Sequence, residues 1–192
     1  MAQALDIRKA RAEDARDIAR LFLVSSDGLA AYIWSRLART GQSLEEVGAA
    51  RYARTGVAFS YENCLMAVRG GTVIGMAHAF PMEPRAPGEV EDDPVLRPYA
   101  ELEDPGSLYV SGLAVDDAWR GQGAGSALMA RVEQAAAGKG LRRVSLICFE
   151  RNRGALRFYR RRGFREIARQ PLVPHPTLHY TDGDAILLVQ DL

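Results

Sequence analysis

The chain has 192 residues, 47% of them apolar and 26% charged, with a formal net charge of +1. That is enough to bury a core, and a single domain over residues 1–192 is expected. The balanced charge gives no global reason to bind nucleic acid or a membrane surface. No run reaches the roughly eighteen apolar residues of a spanning helix, and the opening MAQALDIRKARAEDARD lacks the apolar stretch of a secretory signal. A cytoplasmic protein is the expectation. Cys64 and Cys148 each sit inside an apolar, strand-like run and are expected to be reduced core residues.

LDIRKA (5–10) predicts a first strand. Asp14 then stands where it can cap a helix carrying Ile18, Leu21 and Phe22 at helical spacing. A second helix is expected over 27–38. A third is expected over 43–53, opened by Ser43 with Glu46 at capping-box distance. Residues 63–80 predict two strands joined at Gly70-Gly71, the strongest hairpin signal in the chain. The segment 83–107 is irregular and proline-bearing, with a helical turn or two around PVLRPYAELE. SLYVSGLAV (107–115) predicts a strand near the centre of a sheet. A helix follows from about Gly123, with Leu128, Val132 and Ala135 on one face and Gly138/Gly140 as its stop. Strand, short helix, strand and a last strand complete the chain. The strands on either side of the helix from about Gly123 are expected to run parallel.

WRGQGAG (119–125) places glycines at alternate positions between a strand and a helix. Such a backbone lets successive amides converge on one anion, and the helix start adds its positive end. A P-loop is excluded, because no Gly-Lys-Ser/Thr follows at the required spacing. The dinucleotide fingerprint also fails: Ser126 occupies its third glycine position, and five residues separate Val115 from Gly121. A plain glycine-rich turn is the bland alternative.

Arg120-Gly121-Gln122-Gly123-Ala124-Gly125 resembles the pyrophosphate loop of the GNAT superfamily of N-acetyltransferases. LAV (113–115) before it, Asn152 after it and FYRRRGF (158–164) fall in the order and spacing of that family. The resemblance covers about residues 107–170. It implies an α/β fold with a mixed central sheet of about six to seven strands, flanking helices, and splayed fourth and fifth strands that admit the cofactor. It also implies acetyl-CoA as cosubstrate. Leu113, Ala114 and Val115 would hold the pantetheine arm through their main chain, with the Leu113 amide on the thioester carbonyl. Arg120, Gly121, Gln122, Gly123, Ala124, Gly125 and Ser126 would bind the pyrophosphate. Tyr159 would be the general acid for the leaving thiolate, and Asn152 would touch the cofactor arm, although a helix N-cap is its bland reading. Gly112 is where a β-bulge would cost least.

The acceptor side is less marked. The positions where relatives carry a base are Ser111 and Tyr109, and neither is a convincing base at neutral pH. A water relay or a carboxylate such as Glu83 is expected instead. Segment 83–104 holds eight acidic residues against Arg85 and Arg97, which favours a cationic small amine or is simply a solvated loop. Over 139–169 eleven Lys/Arg stand against two Glu; most are expected on a solvated face, and one or two would meet the adenosine 3′-phosphate of the implied cosubstrate. Tyr32, Trp34 and Tyr52 are either core or one wall of the acceptor pocket. His78, His175 and His179 form no metal-ligand pattern, so no metal is expected. The function expected is direct acetyl transfer to a primary amine, most simply of a small molecule. A protein N-terminal or lysine amine and a non-catalytic acyl-CoA sensor are the alternatives, and a homodimer is compatible with the resemblance.

Overall fold

The computed structural model describes residues 4–192. They form two compact units, one made of the described residues up to Phe80 with Ser111–Gln134, the other of Pro81–Val110 with Ala135–Leu192. In chain order the elements are β1 (Leu5–Lys9), α1 (Ala15–Ser25), α2 (Leu29–Ser35), α3 (Leu44–Tyr52), β2 (Cys64–Arg69) and β3 (Thr72–Pro81). There follow α4 (Arg97–Ala100), β4 (Leu108–Val115), α5 (Ala124–Gly138), β5 (Arg143–Phe149), α6 (Arg153–Arg161), β6 (Arg165–Pro171) and β7 (Asp184–Asp191). The strand order is β1-β2-β3-β4-β5-β7-β6, an open, mixed, seven-stranded sheet.

In the first unit, β1 and β2 are antiparallel, and the Gly70-Gly71 turn returns β2 into antiparallel β3 with Cys64 opposite His78. The core joins Ile18, Leu21 and Phe22 of α1 to Trp34, Tyr52, Met66 and Met76. Ser43 and Glu46 form the expected capping box at the start of α3. Asp14 departs from expectation. It precedes α1, but its carboxylate turns back to accept the Arg11 N–H at 2.7 Å and the Arg8 guanidinium at 2.7 and 2.8 Å. That guanidinium holds the Asp14 carboxyl below the usual range. Helix α2 is shorter than the 27–38 span, because Asp27 and Gly28 both take positive φ and the regular turn begins only at Leu29.

In the second unit, Leu108–Val110 of β4 pair in parallel with Val144–Leu146 of β5, although β4 runs on to Val115 and β5 to Phe149. β5 is antiparallel to β7 along its whole length, and β7 pairs with β6. Leu102, Phe149, Leu172, Ala185, Leu187 and Val189 form this unit's core. β6 is almost wholly exposed and carries Arg165, Glu166 and Arg169, charges that discourage edge-to-edge pairing.

Two further sequence expectations are refined. On α5 the buried stripe is Leu128, Met129, Val132 and Ala136, while Ala135 is exposed, one helical step off the inferred face. Burial along β4 alternates strictly, so only one face of this strand is fully covered. Both cysteines are free and buried, and burial pushes the Cys64 thiol up, keeping it protonated. Among the described residues no helix is long and apolar enough to cross a membrane.

Candidate active site

The end of β4 and the glycine turn that follows it after one 3₁₀ turn both lie in the first unit. Ala114 is buried at 5% exposure, whereas Leu113 and Val115 lie on the half-buried face shared with Ser111. Gly112 does not take positive φ. Its bare Cα is needed for packing instead: a Cβ there would meet Phe22 Cδ2 and Ser25 Oγ at 2.8 Å. After β4, Asp116 accepts Arg20 through both carboxylate oxygens (2.6 and 3.2 Å), and a single 3₁₀ turn at Asp117–Trp119 redirects the chain.

The turn itself is held by its side chains and left open by its glycines. Arg120 Nε donates to Val115 O at 3.0 Å and its guanidinium pairs with Asp117 at 2.8 Å. Gln122 Nε2 donates to Ala118 O at 3.1 Å, and Gln122 Oε1 accepts from Arg69 at 2.7 Å. Gly121 and Gly123 have φ of +73° and +90°, and a Cβ at either would meet nothing within 4 Å. These two glycines are therefore required by backbone angle, and the space beside them is open. The Ala127 N–H bonds Gly123 O at 3.0 Å. The amides of Ala124, Gly125 and Ser126 precede it in the first turn of α5, where no intrahelical carbonyl is in reach. A pyrophosphate fits these features: open glycines, first-turn amides with no intrahelical carbonyl, and the positive end of a fifteen-residue helix.

Asn152 and Tyr159 belong to the second unit. Asn152 is the N-cap of α6, its Oδ1 accepting the Ala155 N–H at 3.1 Å. The Tyr159 ring is 8% exposed and packs edge-on against Phe158 and Phe164, with centroids at 5.2 and 5.5 Å. Arg153, Arg157 and Arg160 of the same helix line an open hollow with Glu150, Arg151 and Leu156. Arg151 pairs with Asp182, and Arg169 with Glu150, Glu166 and Asp184, so much of the basic stretch is matched by carboxylates.

The sequence pattern of the Acetyltransferase (GNAT) family matches residues 29–164, most of the chain and both the turn and FYRRRGF. The chain belongs to the GNAT acetyltransferase family. An N-acetyltransferase from Staphylococcus aureus Mu50 has the same fold, with a TM-score of 0.66 at 20% identity over 96% of this chain and 100% of that one. A ribosomal-protein-alanine N-acetyltransferase from Brucella melitensis gives 0.64 at 20% identity, covering 97% and 99%. An acetyltransferase of Bacillus anthracis solved in complex with acetyl coenzyme A gives 0.51 at 19% identity, covering 67% and 61%. No curated protein matches the sequence.

Two residues of this acetyltransferase have roles that no sequence pattern indicates, His78 being marked in the sequence only as a histidine outside any metal-ligand pattern. Arg69, at the end of β2, binds Gln122 and lies over the Trp119 ring at 5.1 Å, bracing the glycine turn from outside the motif. His78, on β3, is fully buried: Nδ1 lies 2.5 Å from Ser111 Oγ and 3.2 Å from the Tyr52 hydroxyl, and Nε2 lies 2.9 Å from Ala58 O. Burial lowers its pKa to about 4. No local pattern announces either residue's bonds, because their partners lie 20 to 53 positions away.

Trp34 and Tyr52 are core residues at 2% and 0% exposure, and Tyr32 is buried at 8%. Glu83 is exposed on the loop after β3. Burial raises the Tyr109 phenol well above its ordinary range, which keeps it protonated and unfit as a base. Of the eight acids in 83–104, Glu103 is taken by Arg85 and Asp104 by Arg143. Among the described residues no group of three or more His, Cys, Asp or Glu is placed to hold a metal ion.

Proposed function

We propose that this acetyltransferase moves the acetyl group of acetyl-CoA directly onto a primary amine of a small molecule. The observation that carries the cofactor half is the pair Gly121 and Gly123, both at positive φ beside open space and followed at once by α5. In this reading the amides from Gly121 to Ser126 hold the pyrophosphate, while Arg69 and Gln122 keep the turn in shape. One or two of Arg153, Arg157 and Arg160 serve the 3′-phosphate. The main chain of Leu113, Ala114 and Val115 holds the pantetheine arm.

The thioester supplies the acetyl group. The Leu113 N–H donates to its carbonyl oxygen, where negative charge develops as the amine attacks. A water relay takes the proton that the attacking nitrogen must lose, Tyr159 protonates the departing thiolate, and Asn152 positions the arm while capping α6. Direct attack fits both cysteines being buried, with the Cys64 thiol held protonated. The excess of carboxylates in 83–104 favours a cationic acceptor over an anionic one.

A thiol-release screen with acetyl-CoA over small amines, amino acids, antibiotics and peptides tests the reading. Release with small amines is expected. Peptides as the only substrates would move the acceptor to protein, and no release with any of them would leave an acyl-CoA sensor. Tyr159→Phe is expected to lower kcat about 100-fold with acetyl-CoA Kd unchanged. An unchanged kcat would remove Tyr159 from the chemistry.

A further inference from the structure

The cluster around His78 has a definite hydrogen-bond polarity. Ala58 O can only accept, so the Nε2 that lies 2.9 Å from it carries the imidazole proton. His78 is neutral at ordinary pH, since burial among Tyr52, Phe59, Phe80 and Phe22 disfavours the cation. Its Nδ1 is then a bare lone pair. Facing it are two hydroxyls, and the nearer, Ser111 Oγ at 2.5 Å, donates to that lone pair, while the Tyr52 phenol at 3.2 Å can only share it. Tyr52 is itself fully buried and stays protonated, so it serves this cluster alone.

Ser111 is different, because it is only half-buried and shares the half-buried face of β4 with Leu113. Two residues along a strand separate their Cα atoms by about 7 Å. A hydroxyl whose only proton is committed to His78 has nothing but lone pairs left for a visitor. We propose that Ser111, oriented by His78, is the hydrogen-bond acceptor for the N–H of the substrate amine, and so selects an acceptor that donates. This rests on the amine-acetylation reading above. Ser111 is the residue that touches substrate, whereas His78 is a positioning residue that sets the direction of the Ser111 O–H. An amine or ammonium satisfies those lone pairs; a carboxylate or carbonyl oxygen in the same place meets another acceptor and is refused.

Two measurements on the whole protein test this. In ¹⁵N-histidine NMR at pH 7, with His78 assigned by loss of its signals in His78→Gln, Nε2 is expected to be protonated and Nδ1 an unprotonated imine nitrogen. Ser111→Ala should shift Nδ1 and leave Nε2 in place. An Nδ1–H tautomer or an imidazolium would overturn the orientation. In steady-state assays Ser111→Ala is expected to lower kcat/KM for the amine about 10-fold, with acetyl-CoA Kd unchanged, and Ser111→Thr to restore most of it. Equal kcat/KM for wild type and Ser111→Ala, with the wild type active, would overturn the role of Ser111 alone. A wild type that acetylates no amine would overturn this proposal together with the function it rests on.

Discussion

The glycine turn at 121–125 and the cluster around His78 lie in the same unit, yet they are built in opposite ways. The turn draws its working groups from consecutive residues: two glycines at positive φ and the first amides of α5. Its side chains are scaffolding, with Arg120 and Gln122 turned back onto the chain. The His78 cluster contains no useful backbone conformation and no consecutive residues. It takes Tyr52 from α3, Ala58 from the following loop, His78 from β3 and Ser111 from β4. A site made of main chain can be specified by a short motif, because backbone geometry is local. A site made of side chains exists only once the sheet and the helices have packed.

The contrast is sharpened by mutations that injure one region and spare the other. The largest effect is expected at the turn. Gly123→Val places a β-branched side chain at φ +90° and fills the open space beside the amides. Calorimetric titration should show acetyl-CoA affinity falling about 100-fold or more. The melting temperature should fall by only a few degrees, the cost of the strained backbone alone, because no neighbouring atom lies within 4 Å of the new Cβ. A large loss of stability with intact affinity would reverse the distinction.

The His78 cluster should show the converse, an effect on stability with the cofactor untouched. The titratable and charged groups around His78 are Tyr52 on α3, Cys64 opposite it on β2, and Arg51, whose guanidinium lies over the Phe59 ring. Folding holds the imidazole pKa down to about 4 from an ordinary value near 6.5, so between these values the unfolded chain binds the extra proton. The stabilisation is therefore complete above pH 6.5 and is lost as pH falls towards 4, about 3 kcal/mol in all. Denaturant unfolding at several pH values should show this slope in the wild type and its loss in His78→Gln, with acetyl-CoA Kd unchanged at pH 7. Identical slopes in the two proteins would show that His78 does not titrate in this window.

The smallest effect is expected where side chains support the turn from a distance. Arg69→Ala removes the bond to Gln122 and the cation over Trp119, and should weaken acetyl-CoA about 3- to 10-fold. No change in Kd would mean that Arg120 and Gln122 hold the turn by their own backbone contacts.

Much of the architecture is legible in local signals. Ser43 and Glu46 announce α3, and Gly70-Gly71 announces the hairpin, because caps and tight turns depend on residues three or four apart. Asp14 misled for an instructive reason: a carboxylate at a helix start serves as a cap only if nothing stronger competes, and Arg8 on β1 is stronger. Gly112 suggests backbone freedom, yet its lack of a side chain makes room for Phe22 and Ser25, contacts invisible along the sequence. The motif singles out Tyr159 and Asn152 but not their surroundings, and the structure shows the ring packing of one and the helix cap made by the other.

By itself, the sequence determined the order of strands and helices, the family and the glycine turn, since each is encoded by residues close together in the chain. Only the tertiary structure decided which way the Ser111 hydroxyl points, what braces Gln122 and why residue 112 has no side chain. Those outcomes depend on directed hydrogen bonds and close packing between residues tens of positions apart, and such contacts leave no periodicity to read.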